Sequence, residues 1–436
     1  MAKKTVAFQT LGCKLNFSES STISRMMREE GYEVVETKEK ADVYVIHTCM
    51  VTGPAEKKCR AAIRQAKRRN PGATVAVIGC LAQLRADEVL SMPEADIVLG
   101  NYNKYELSGF LKQFEENGHK INAVSGSWKD PYYHPAYSGG DRTRTFLKIQ
   151  DGCDYFCSYC TIPLARGRSR SLSIGETLTL AQEAIDGGAK EIVLTGVNIG
   201  DFGKPAGEKL LDLLQGMEKY SDADRIRISS IEPDLLDEEI IDFVAKSKKF
   251  APHFHIPLQA GSDKVLQAMN RRYDTTLFTE KITLIRKHMP FACIAVDVIT
   301  GFPGETENDF LEGKKYLADM DLSYLHVFTY SERPDTKAVQ MQAKLSPAVK
   351  KQRSEVLHEL SEIKKIRFYE QNRGRTVTVL FEADHHDGYM YGFSENYIRV
   401  KTLYDNTLVN KLVTVGLTET DQVGNYLFNC NRHEPR

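Results

Sequence analysis

Short apolar runs alternate, over the first 120 residues, with longer stretches in which apolar positions recur every three or four residues. Thr5–Leu11, Asp42–His47, Thr74–Gly79 and Asp96–Leu99 predict short buried strands. Ser18–Glu30, Ala55–Asn70 and Asn103–Asn117 carry the helical period and stop at Gly31, at Pro71-Gly72 and at Gly118. Strict alternation of strand and helix implies a parallel sheet with helices on both faces. Residues 121–144, rich in Pro, Gly, Ser and Tyr and holding the only tryptophan, have no apolar period and predict a linker.

From residue 145 the alternation resumes. Thr145–Gln150, Glu191–Thr195, Arg225–Ser230, His253–Leu258, Ile294–Ile299 and Tyr324–Tyr330 predict six strands. Gly175–Gly187, Glu208–Tyr220, Leu235–Lys246, Ser262–His288 (two helices) and Glu307–Met320 predict the helices between them. Six βα units in a row imply a partial TIM-like (β/α)6 barrel, whose working residues come from the carboxyl ends of the strands. Ser346–Gln371 reads as an exposed helix with one buried stripe. After Thr376 the period switches to two, in TVTVLFEA, GYMYGFS, YIRVKT, LVTVGLTE and NYLFNC. Five short strands predict a small β-barrel. The expected division is an α/β domain over 1–120, a linker over 121–144, a barrel with its trailing helix over 145–371, and a β-domain over 372–436.

Composition narrows the class. A chain of 436 residues, 42% hydrophobic and 27% charged, is that of a globular protein of several domains. No apolar run is long enough to span a membrane, and MAKKTVAFQTLGC has no secretory h-region, which implies a cytoplasmic protein. Nine cysteines without the density of a disulfide framework point to metal- or cluster-binding thiols. A net charge of −1 leaves nucleic-acid binding to local basic patches.

Three cysteines stand in KIQDGCDYFCSYCTIPLARGRSR as Cys153-x3-Cys157-x2-Cys160. A structural zinc site is normally closed by four protein ligands, and an iron–sulfur cube normally takes four cysteines. A set of three suggests a cube with one bare iron open to a substrate, or else half of a zinc site. Tyr155, Phe156, Tyr159 and Ile162 would wall it with apolar surface. A second trio is hidden in the strand pattern. Cys13, Cys49 and Cys80 each follow a predicted strand of the first domain, so the topology gathers them at one sheet edge. Cys59, within a predicted helix, reads as structural and Cys293 as core; Cys430 has no assignment.

The CxxxCxxC loop resembles the radical S-adenosylmethionine superfamily, in which the bare iron chelates that cofactor. TLGCKLN, HTCMVT and IGCLAQ resemble the amino-terminal domain of its methylthiotransferases. The resemblance covers essentially the whole chain and implies two 4Fe-4S clusters, one on Cys153, Cys157 and Cys160 and one on Cys13, Cys49 and Cys80. The loops LTGVNIGDFG, ISSIEP, IPLQAGSD and DVITGFPGET, by resemblance, make Gly196, Asn198, Ser230, Glu232, Gln259 and Asp297, with Tyr159, contacts to S-adenosylmethionine. The last domain resembles the RNA-binding TRAM module. The implied reaction cleaves the cofactor to a 5′-deoxyadenosyl radical and inserts a methylthio group, with an electron donor such as flavodoxin or ferredoxin.

PLARGRSRS, RISSIEP and TLGCKLN look most like the branch acting on N6-threonylcarbamoyladenosine in tRNA. The alternatives are the branch acting on N6-isopentenyladenosine and the branch modifying a ribosomal-protein aspartate. The latter typically has a proline beside the first cysteine, where this chain has Gly12 and Lys14. Outside enzymes altogether stands a non-catalytic RNA-binding protein with structural metal.

Several charged and aromatic groups keep two readings. Lys57, Lys58, Arg60, Arg64, Lys67, Arg68 and Arg69 share a helix with the single acid Glu56, as a solvated face or a phosphate-facing patch. Arg166, Arg168, Arg170, Arg271 and Arg272 serve either internal salt bridges or an anionic ligand. Tyr389, Tyr391, Phe393, Tyr397 and Arg399 form either the core of the last domain or an RNA-stacking face.

Overall fold

The computed structural model describes residues 3–126, 132–140, 143–421 and 424–428. Trp128 and Cys430 lie outside these described residues. The chain forms two compact units.

The first unit comprises Met1–Ser138, Lys148–Leu172 and Ser331–Gln340. Its β1 (Thr5–Thr10), β2 (Glu33–Val35), β3 (Val43–Thr48), β4 (Thr74–Gly79), β5 (Ile97–Leu99) and β6 (Ile121–Asn122) make one parallel sheet, in the order β2-β1-β3-β4-β5-β6. On one face Ile23 and Met27 of α1 (Lys14–Glu29) join Leu107 and Leu111 of α5 (Leu107–Asn117) over Val6, Val45, Ile78 and Leu99. On the other, α2 (Gly53–Arg69), α3 (Cys80–Leu84) and α4 (Ala86–Leu90) bring Ile63, Leu81 and Val89 against Ala7, Ile46, Val77 and Val98. Cover on both faces is why the central strands read as unbroken apolar runs. The short β7 (Ala136–Tyr137) and α6 (Ile162–Arg166) complete the unit. Two expectations change in detail. Strands β2 and β6 are edge strands of three and two residues, partly exposed, and give no apolar signal. Helix α1 starts at Lys14, not Ser18, because its N-cap is Cys13, which makes no side-chain capping bond.

A buried ion cluster joins the parts of this unit. Glu19 of α1 accepts from Lys104 (2.6 Å), Lys148 (3.0 Å) and Arg166 (3.0 Å). Asp151 faces Lys148 (2.8 Å), Arg166 (3.0 Å) and Arg170 (3.2 Å). Burial disfavours the charged form of Glu19, but Arg166, Lys104 and Lys148 outweigh it and hold the carboxyl below its usual range. His47 lies 3.6 Å from Glu19, and burial holds its imidazole well below its ordinary range, hence neutral. Four buried cations thus surround two buried carboxylates.

The second unit comprises Gly139–Leu147, Ser173–Tyr330 and Met341–Arg436. β8 (Arg144–Lys148), β9 (Glu191–Thr195) and β10 (Arg225–Ile228) are neighbours in one sheet. β11 (His253–Gln259), β12 (Cys293–Thr300) and β13 (Tyr324–Thr329) form a second, parallel set. Parallel bridges Ile226–Phe250 and Ser230–His255 join the two sets, so six strands follow in sequence order. Helices α7 (Ile174–Asp186), α8 (Leu210–Tyr220), α9 (Glu238–Lys246), α10 (Asp263–Ala268), α11 (Thr275–His288) and α12 (Glu307–Asp319) alternate with them, as a partial barrel requires. The stretch Ser262–His288 splits into α10 and α11, as expected. Helix α9 starts three residues later than predicted because Pro233–Leu235 forms a 3-10 turn.

Helix α13 (Pro347–Gln371) buries a stripe of Arg353, Leu357, Ser361, Lys364 and Phe368. The stripe is partly polar because Ser361 bonds both backbone groups of Leu325 and Arg353 meets Glu305. β14 (Thr376–His386), β15 (Tyr389–Ser394), β16 (Arg399–Leu403), β17 (Leu412–Gly416) and β18 (Tyr426–Leu427) form one sheet, in the order β17-β14-β15-β16-β18. Its core holds Val377, Val379, Phe381, Met390, Val400 and Val415. The sheet docks on the amino ends of the barrel strands. Arg225 donates to Thr378 O (2.9 Å) and Arg227 to Glu395 O (2.9 Å), while Glu191 pairs with both arginines.

Replacing Glu19 by Ala takes the carboxylate partner from Lys104 and leaves Lys148 and Arg166 with Asp151. Chemical denaturation of the anaerobically purified protein should show a loss of about 3–5 kcal/mol of unfolding free energy. A loss below about 1 kcal/mol would mean that the cations find other partners.

Candidate active site

The first trio of sulfurs is set by three βα junctions. Cys13 caps α1 after β1, Cys49 follows β3, and Cys80 opens α3 directly after β4. Gly12 has φ +109°, and a Cβ there would stand 2.7 Å from the Cβ of Cys49 and 3.1 Å from its sulfur. Only glycine allows this approach of the Cys13 and Cys49 loops. Asn16 clamps the same loops, donating to Leu11 O (2.7 Å) and Thr48 O (3.1 Å), and accepts from Arg166 (2.7 Å). Asn101 donates both to the sulfur of Cys80 (3.6 Å) and to Ala165 O (2.9 Å). Burial, with Cys80 and Cys13 alongside, pushes the thiol of Cys49 up to about 12. Cys59 is fully buried in the α2 core, and its sulfur accepts the Cys49 N–H at 3.3 Å. It braces the Cys49 loop through the backbone.

The second trio lies on the loop after β8. Cys153 and Cys157 are buried, whereas Cys160 and Tyr159 are half-buried. The chain doubles back tightly here. Gly152 has φ +74°, and a Cβ would fall 1.9 Å from Arg168 O; Phe156 takes φ +50°, a left-handed conformation costly for a ring-bearing residue. Tyr155 N–H points at the Cys153 sulfur (3.5 Å) and Ile162 N–H at the Cys160 sulfur (3.4 Å). Arg166 and Arg170, which kept two readings in the sequence, are buried partners of Glu19 and Asp151. Arg168 is half-exposed, 3.3 Å from Asp154, with its guanidinium over the Phe156 ring.

These surroundings fit iron–sulfur clusters. N–H groups aimed at cysteine sulfur stabilise sulfur-ligated iron, and surplus buried positive charge complements a thiolate-bound cube. Both trios lie in the first unit, with Arg166 hydrogen-bonded to the carboxylates of Glu19 and Asp151 and to Asn16 beside Cys13.

In the second unit the predicted cofactor contacts lie at the carboxyl ends of barrel strands, except Asp297, which lies within β12. Gly196 and Asn198 follow β9, and Asn198 is buried. Ser230 follows β10 and bridges to His255 of β11. Gln259, at a bulge ending β11, takes φ +70°. Such a bulge re-aims its side chain. Asp297 of β12 lies 2.8 Å from His255 Nε2. Burial raises the carboxyl of Glu232 to about 7, against its ion pair with Arg271; Asp234, Asp297 and Asp201 add to the rise. The strand ends therefore share one acid-rich neighbourhood. Sequence reasoning did not select His255 or His326, nor assign Arg271 to Glu232. The HIPLQ run held His255 in view, four positions before Gln259.

The cationic helix α2 divides. Arg60 pairs with Glu56 and Glu88, Lys67 with Asp96, and Glu56 also with Arg333. Lys57, Lys58, Arg64 and Arg68 are exposed. On β15 the alternation buries Met390, Gly392 and Ser394 and leaves Tyr389, Tyr391 and Phe393 half-buried on the opposite face. Lys401 and Arg399 lie over the rings of Tyr389 and Tyr391, at 4.1 and 3.9 Å. Tyr397, stacked on Phe393 and beside Arg227 and Arg144, serves the junction with the barrel.

Residues 5–100 match the Uncharacterized protein family UPF0004 and residues 147–317 the Radical SAM superfamily. The threonylcarbamoyladenosine tRNA methylthiotransferase MtaB of Bacillus subtilis is 38% identical, over 94% of this chain and 93% of its own. The Aquifex aeolicus protein of the same name is also 38% identical, over 91% and 96%. The tRNA-2-methylthio-N(6)-dimethylallyladenosine synthase of Syntrophus aciditrophicus is 33% identical, over 94% and 88%. In fold the chain is similar to the radical S-adenosylmethionine methyltransferase TsrM of Kitasatospora setae, with a TM-score of 0.55, 12% identity and coverage of 89% and 81%. With both family matches in order along the chain, and relatives of this identity over nearly its whole length, the chain belongs to the radical S-adenosylmethionine methylthiotransferase family.

Proposed function

We propose that this enzyme adds a methylthio group at the 2-position of N6-threonylcarbamoyladenosine in tRNA. The observation that carries the reading is the pair of three-cysteine sets in one compact unit, within a chain 38% identical to the B. subtilis MtaB protein. The relatives named for the threonylcarbamoyl base are 33–38% identical and those named for the dimethylallyl base 29–33%, which favours the threonylcarbamoyl base. With clusters on both trios, the cofactors supply a 5′-deoxyadenosyl radical at one and the inserted sulfur at the other. The chain's own residues then do the positioning. Cys153, Cys157 and Cys160 would hold the cluster that serves S-adenosylmethionine, and Cys13, Cys49 and Cys80 would hold the cluster that serves sulfur insertion. Gly196, Asn198, Ser230, Glu232 and Gln259 are the second unit's groups for S-adenosylmethionine, whose sulfonium suits the acid-rich strand ends. Tyr155 and Phe156 wall the Cys153, Cys157 and Cys160 set against water. A small reducing protein of the flavodoxin or ferredoxin class delivers the electron.

For tRNA, the exposed cations of α2 face phosphate, and Tyr389 and Tyr391 with Lys401 and Arg399 offer a stacking face in a TRAM-like domain. Lys67 pairs with Asp96, so the exposed Lys57, Lys58, Arg64 and Arg68 are the cations put to the test.

Cys157→Ala should abolish formation of 5′-deoxyadenosine by the reduced enzyme. Cys80→Ala should keep that cleavage and lose thiolation, read by nucleoside mass spectrometry of tRNA from a complemented deletion strain. Thiolated tRNA from the Cys80 variant would refute the assignment of the second cluster. Accumulation of unmodified isopentenyladenosine in the deletion strain would move the substrate to the other branch.

Changing Lys57, Lys58, Arg64 and Arg68 together to Gln should weaken tRNA binding. The slope of log K against log salt should flatten by about 0.7–0.9 for each phosphate no longer neutralised. An unchanged slope would return α2 to a solvated face.

A further inference from the structure

Three adjacent strands of the second unit place a histidine, an aspartate and a histidine side by side. They are His255 on β11, Asp297 on β12 and His326 on β13. The ladder pairs Asp297 with His326, and His255 with Ala295, two residues before Asp297 on the same face. His255 Nε2 lies 2.8 Å from Asp297 Oδ1, and the two imidazole rings meet edge to face at 5.2 Å. The three ligand atoms all lie within 4.8 Å of one another, and among the described residues this is the one such set of three His, Cys, Asp or Glu groups.

We propose that His255, Asp297 and His326 form a mononuclear site for a divalent cation of the zinc class, distinct from both cysteine trios. Two imidazoles and a carboxylate are a donor set that zinc takes in catalytic sites and ferrous iron takes with open positions. Ligands about 2.0–2.1 Å from a tetrahedral ion stand about 3.3 Å apart, so a contraction of at most about 1.5 Å closes the set. His326 is exposed, which gives the ion a path of entry. The nearby carboxylates favour a cation over an anion: Asp297 shares the electrostatic neighbourhood of Glu232, Asp234 and Asp201. Tyr324 packs edge to face on the His326 ring at 5.2 Å and steadies it from behind. The fourth position is left for an oxygen donor, water or substrate. Asp297 then belongs to this set and not to the S-adenosylmethionine contacts.

The test uses anaerobically purified holoenzyme loaded with zinc, desalted and analysed for zinc and iron. The parent should retain one zinc per chain, with nitrogen and oxygen scattering only at the zinc absorption edge. His326→Ala and Asp297→Asn should each bind zinc at least about tenfold more weakly by calorimetry, with iron content unchanged. His326 is exposed, so its replacement tests the site even where the Asp297 variant fails to fold. No zinc on the parent, equal zinc binding by the His326 variant, or sulfur scattering at the edge would each overturn the proposal. The first would leave an ordinary hydrogen-bonded His255–Asp297 pair, and the last would place zinc on the cysteines.

Discussion

A single guanidinium, that of Arg166, holds the first unit's cysteine loops in relation to one another. It donates to Glu19 and is bonded to Asn16, both on the helix that Cys13 caps, and it also meets Asp151, two residues before Cys153. Arginine suits this task because its planar fork fixes several acceptors at once and stays charged when buried. Lys104 and Lys148 complete the shell around Glu19. An ion cluster of this kind contributes little net stability relative to an apolar core, but breaking it is costly. It therefore acts as a spacer of defined geometry between the two sets of cysteines.

The two units carry opposite electrostatic character at their working ends. Around the cysteines, buried cations outnumber buried carboxylates, which suits anionic thiolate-bound metal. At the carboxyl ends of the barrel strands burial raises the carboxyl of Glu232 to about 7, and Asp234, Asp297 and Asp201 add to the rise. That environment suits cationic groups. The carboxyl-terminal sheet occupies the amino ends of the same strands, sealed by Glu191, Arg225 and Arg227. The sheet and the acid-rich strand ends therefore occupy opposite mouths of one barrel.

The alternation of strand and helix, the CxxxCxxC loop and the strand-end cysteines were legible because each is a local signal: a period, a spacing, a turn. The buried ion cluster was not. Glu19 and Arg166 are 147 positions apart, and each stands in a stretch that reads equally well as surface. Helix α2 shows the same limit from the other side. Its cations seemed nearly unopposed because Glu88 and Asp96, which neutralise two of them, lie on later elements. The His255–Asp297–His326 set needed the register of three strands, which no periodicity supplies. Short edge strands such as β2 and β6 leave too few residues for a pattern to form.

Gly12 has a consequence for how this branch of the family can vary. Its backbone angle of φ +109° lies far from the value near −65° that a pyrrolidine ring imposes. Any side chain there would also collide with Cys49. A proline at position 12 could not follow the same path, so the approach of the Cys13 and Cys49 loops seen here depends on the absence of a side chain at that one position.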